Sequence, residues 1–84
     1  DTNDDAVNEK RRQVETLIRE IDPNVTIHDF RMVPGDTHTN LIFDAVVPPE
    51  FDRSADELRR DIEERVQNKW PECRCVIHMD RSYL

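Results

Sequence analysis

Glycine is almost absent from this chain, with one residue in 84. A loop that cradles phosphate needs several glycines, so nucleotide binding of that kind is excluded. Long hydrophobic runs are absent too. None approaches the ~18 apolar residues that mark a bilayer span, and no secretory signal is visible. Positive charge is in deficit: 12 Lys and Arg face 19 Asp and Glu, for a net charge of −7. Nucleic acid calls for clustered basic residues, and an anionic membrane surface disfavours such a chain. A cation is compatible with it. Only two cysteines occur, Cys73 and Cys75. Residues i and i+2 on a strand have the wrong geometry to bridge each other. The expectation is two free thiols in a reducing compartment, the cytosol. No Ser/His/Asp or Cys/His set comes together by strand parity, so the chain reads as a non-enzyme. It does not begin with Met, which reads as a piece cut from something longer.

What is present suffices for one small domain. Residues 1–5 are polar and read as a flexible N-terminal segment, leaving 6–84 as the domain. Val14, Leu17, Ile18 and Ile21 fall at i, i+3, i+4 and i+7, the stripe of an amphipathic helix over 6–21. Asp22-Pro23 stops it. A β-branched run over 25–33, the turn Pro34-Gly35-Asp36 and a second run over 39–47 predict an antiparallel hairpin. Ser54-x-x-Glu57 is a capping box, and Leu58, Ile62 and Val66 continue its helix to about Lys69. Pro71 ends that helix, and 74–81 reads as a third strand. The order α-β-β-α-β predicts an α+β, ferredoxin-like fold: a three-stranded sheet with two helices on one face.

Strand alternation then sorts the side chains. Cys73, Cys75, Ile77 and Met79 form one apolar set, and Leu41, Phe43, Ala45 and Val47 another. Both should lie under the helices. By elimination His28, Asp44, His78 and Asp80 share the uncovered face, with Ile42, Val46, Val76 and Phe30 around them. His78 and Asp80 stand roughly 6.5–7 Å apart along their strand, a spacing that lets two side chains converge on one ion. Two imidazoles and two carboxylates suit a divalent first-row metal. Zinc fits, and manganese, iron and cobalt stay open. The half-apolar face predicts a partner, most simply a second copy of the chain.

Each feature has a plainer reading. His78 and Asp80 could be an exposed polar edge, and His28 a histidine bonded to Asp29 or a backbone carbonyl. His38 reads as a solvated loop residue and the two cysteines as core packing. Asp56 reads as an N-terminal helix acid. The run 59–65 reads as a solvated helix face with i, i+4 ion pairs.

The element order, His28-Asp29-Phe30-Arg31, the Ser54-x-x-Glu57 helix and Ile77-His78-Met79-Asp80 together resemble the cytoplasmic C-terminal domain of cation diffusion facilitator transporters. The resemblance runs from about Val14 to the end. It implies a cytosolic domain that dimerises, binds divalent metal near the dimer interface and supports proton-antiport metal efflux. The transport itself would be carried by a transmembrane domain of the same full-length chain. His28, His78 and Asp80 match the family's ligand positions. Asp44 and Asp56 stand where the family has histidines, which shifts the expected preference toward harder ions. The alternative is a metal-independent homodimerisation or protein-interaction module on the same fold. A soft-metal chaperone using Cys73 and Cys75 is a third reading.

Overall fold

A computed structural model describes the backbone of residues 2–81 and the side chains of residues 4–81. Five elements follow in the expected order. Helix α1 spans Thr2–Ile21, strand β1 Thr26–Pro34, strand β2 Thr39–Val47, helix α2 Ala55–Lys69 and strand β3 Cys73–Arg81. The helix expected from residue 6 starts at Thr2. Asp4 and Asp5 lie in its first turn, where negative charge is favoured by the helix dipole.

The ends of the helices are set by local chemistry. The Asp22 amide closes α1 on the Ile18 carbonyl at 3.0 Å. Its side chain accepts from the Asn24 amide at 2.8 Å, an Asx turn that steers the chain past Pro23 toward β1. At α2 the capping box is complete: Ser54 Oγ accepts from the Glu57 amide, and Glu57 returns the bond to the Ser54 amide. The Trp70 amide closes on Val66, one residue before Pro71.

Strand β2 lies in the middle of the sheet, antiparallel to β1 and parallel to β3. A tight turn joins the antiparallel pair. There the Gly35 amide donates to the His38 carbonyl, and a Cβ at Gly35 would stand 2.9 Å from that oxygen. The parallel pair needs a crossover, which α2 supplies.

One sheet face is buried and the other is open. Val14 and Ile18 of α1, Leu58, Ile62 and Val66 of α2, and Leu41, Phe43, Ala45 and Val47 of β2 are all 1% exposed or less. Burying such side chains is the main favourable term in holding the layers together. No buried polar or charged residue interrupts this core among the described residues. Among those residues no helix is long and apolar enough to cross a membrane.

Strand β1 departs from simple alternation. His28 pairs with Asp44 and Arg31 with Ile42, so three steps on β1 match two on β2. This is a β-bulge. Asp29 takes it up with φ of 56°, a left-handed conformation that Asp tolerates better than most side chains. The bulge corrects one expectation. Phe30 does not flank His28 on the open face; it turns inward, packs against the core and stacks on Phe43. Arg31 takes the open side instead, opposite Ile42.

Candidate metal centre

Asp44 is paired with His28 on one side and His78 on the other. Residues in register across a sheet share a face. The three therefore form one row across all three strands, with Asp44 in the centre. Neighbouring strands lie about 4.8 Å apart. Asp80 stands two residues further along β3, opposite Val46 and beyond it Thr26. His28, His78 and Asp80 are exposed, and Asp44 is half-buried between its neighbours. The structure thus places all four candidate residues on the open face.

The donor types suit a divalent cation, and none of the four is engaged in an ion pair among the described residues. Their side chains are not drawn together around a point. Among the described residues no three His, Cys, Asp or Glu side chains gather closely enough to hold an ion. The His28 ring turns along its own strand, with Nε2 3.3 Å from Thr26 Oγ1. Coordination by several of the four would require this contact to yield to new rotamers.

The sulfur atoms lie on the opposite face. Cys73 is buried in the core, and Cys75 is half-buried against it. Both thiols are free. Burial raises the Cys73 thiol. It pushes the Cys75 thiol up to about 12, with nearby Glu63 and Cys73 adding to the effect. A thiol that resists ionising is a poor soft-metal ligand, so core packing is the reading the structure favours.

The remaining candidates are engaged elsewhere. His38 is half-buried beside the hairpin turn, its Nδ1 3.0 Å from Thr37 Oγ1. Asp56 pairs with Arg59 and Arg60 on α2. The hydrogen bond from Arg59, then its charge, holds the Asp56 carboxyl below its ordinary range. Arg59 also reaches Glu63, and Arg65 reaches Asp61. This is the solvated, ion-paired helix face expected from the sequence.

Two residues near the row escaped strand parity: Asp29 and Arg31. Together with Phe30, Ile42, Phe43 and Asp44 they line a groove of about 380 Å³ at the bulge. The usable signal was Asp29 itself, a residue depleted from strands, in the middle of a β-branched run.

Residues 6–82 match the family described as cation efflux protein, cytoplasmic domain. The chain belongs to that family. Solved structures show the same fold at low identity. The candidate zinc transporter CzrB aligns with a TM-score of 0.71 at 19% identity, covering 88% of this chain and 94% of its own. A zinc form of CzrB aligns at 0.70 and 19% identity, covering 88% of this chain and 86% of its own. The metal-bound C-terminal domain of the CzcD transporter from Thermotoga maritima aligns at 0.69 and 19% identity, covering 88% and 90%. No curated protein sequence matches the chain significantly.

Proposed function

We propose that this cytoplasmic domain of a cation efflux protein is a metal-responsive dimerisation module. In this reading it binds a divalent ion, zinc first, through His28, Asp44, His78 and Asp80. It pairs with a second copy through the open sheet face and biases the transmembrane domain of the same full-length chain. The observation that carries the reading is the row of His28, Asp44 and His78 across three strands. Support comes from the zinc form of CzrB and the metal-bound CzcD domain, which share the fold. The apolar residues on the face support the pairing: Val76 is 52% exposed and Val33 46% exposed, beside half-buried Ile42 and Val46.

The mechanism needs no chemical step. An ion regulates only if it binds one arrangement of the dimer more tightly than another. Ligands lying flat across a sheet, at or beside a two-fold interface, meet that condition when the approach of the second copy changes which side chains can reach the ion. The role of the chain is then binding and coupling.

Native mass spectrometry of the reduced, metal-free domain, titrated with zinc and then manganese, tests this. A dimer that gains a small fixed number of ions supports the reading. Retained affinity in a His28→Ala, His78→Ala double variant would sink the ligand assignment. Exposed Val76 and Val33 favour one other reading, a purely apolar dimer. A dimer indifferent to chelator that takes up no ion would establish it instead.

A further inference from the structure

We infer that Arg31 is a resident counter-cation of the metal centre, which weakens its hold on a divalent ion and so keeps binding reversible. The inference rests on the metal-binding reading above and extends it to how affinity is set.

The bulge puts this residue where it is. Under strict alternation from His28, Phe30 would share the histidine's face and Arg31 would point into the core. The extra residue at Asp29 exchanges them: Phe30 packs inward on Phe43 and Arg31 comes out opposite Ile42. Asp44 is two residues from Ile42 on the same face of β2. Arg31 and Asp44 are thus diagonal neighbours, about 7–8 Å apart by sheet geometry and within reach of a long side chain. They line one groove, with Asp29 at its side.

Among the described residues Arg31 also forms no ion pair: the eight found there join arginines to carboxylates on α1, α2 and the segment entering α2. The arginines at the two ends of β3 are occupied by backbone carbonyls. Arg74 bonds those of Pro71 and Cys73, and Arg81 those of Phe51 and Arg53. A guanidinium keeps its charge at every physiological pH. Diagonal to Asp44 and in the same groove, it supplies permanent positive charge that repels a divalent ion entering the site.

The test is calorimetric titration of the metal-free 84-residue chain with Zn²⁺, comparing the parent with Arg31→Met, Arg31→Lys and Asp44→Asn. Arg31→Met should tighten zinc binding roughly three- to tenfold at low salt, the size expected for one charge acting on a divalent ion at this distance in water. That gain should shrink toward nothing at ~1 M salt, where screening acts over about 3 Å. Arg31→Lys keeps the charge and should bind like the parent. This is a pattern that loss of packing alone would not produce. Unchanged or weaker affinity in a folded Arg31→Met would overturn the inference, provided Asp44→Asn loses affinity. If Asp44→Asn binds zinc as tightly as the parent, the ligand assignment fails, and Arg31 has no carboxylate ligand to compete for. A parent that takes up no zinc overturns both.

Discussion

Phe30 stacks on Phe43 beneath the sheet, with ring centroids 5.8 Å apart and planes 26° from parallel. The contact exists only because Asp29 holds the bulge. The two halves of the His28-Asp29-Phe30-Arg31 segment therefore serve different faces: His28 and Arg31 the open side, Phe30 the core. Phe30→Ala should lower stability by roughly 2–4 kcal/mol, toward the low end for truncating an aromatic because Phe30 is only partly buried. Urea denaturation measures this. The loss should come with a local change at Arg31 visible in amide chemical shifts, since the inward anchor of the bulge is gone.

Asp29 itself sits at φ of 56°. Asp29→Gly removes the steric penalty of that conformation and should change stability by at most about 1 kcal/mol, in the stabilising direction. Asp29→Val places a β-branched side chain there and should destabilise by about 1–2 kcal/mol. If both variants melt together, backbone strain at this position is unimportant.

A ligand that binds only the folded state stabilises it by mass action. Zinc at a hundredfold excess over its dissociation constant should add about 2.7 kcal/mol. For a domain of this size that raises the melting temperature by roughly 10–20 °C. Chelator should reverse the shift, and the His28→Ala, His78→Ala double variant should show none.

The architecture and element order were legible in the sequence because the apolar spacing, the capping box and the prolines all pointed the same way. β2 was readable at both ends, Thr39 and Val47. The placement of His28, Asp44, His78 and Asp80 on one face was legible as well, since β2 and β3 alternate without interruption. β1 was not. Parity carried past Asp29 puts Phe30 on the wrong side and hides Arg31, because an extra residue inverts every later assignment on the strand. The start of α1 was also misplaced: residues 2–5 lack apolar periodicity, and nothing but helix continuity marks them.

The capping box gives a pH-dependent prediction. Hydrogen bonds from the Ser54 backbone and side chain, with Arg53 and Arg60 adding, hold the Glu57 carboxyl below its ordinary 4.5. A depressed folded-state value means stabilisation that is present above the unfolded value and lost as pH falls through the folded one. Ser54→Ala should cost about 1 kcal/mol near neutrality. It should also flatten the acid limb of the stability curve below about pH 4.5, as read by thermal melts across pH.

The thiols behave in the opposite sense. Cys75 is pushed from an ordinary 9.0 up to about 12 by burial. An unfolded chain therefore releases this proton first, and stability should fall as pH rises from about 9 toward 12. At pH 8 the native Cys75 should react with iodoacetamide at least about a hundredfold more slowly than in urea. Fast native labelling would return Cys75 to the list of ligand candidates.

His28, Asp44 and His78 come from three strands, two of them joined by a tight turn and the third reached only across α2, linked through β2 by one antiparallel and one parallel pairing. No short stretch of this chain contains the row. A peptide carrying Ile77-His78-Met79-Asp80 alone would have a local chelating pair and nothing of the arrangement. Ion uptake through the whole row would then report on the finished sheet: with the hairpin paired but β3 undocked, only His28 and Asp44 would stand side by side. The row would be complete only when the last strand settles beside β2.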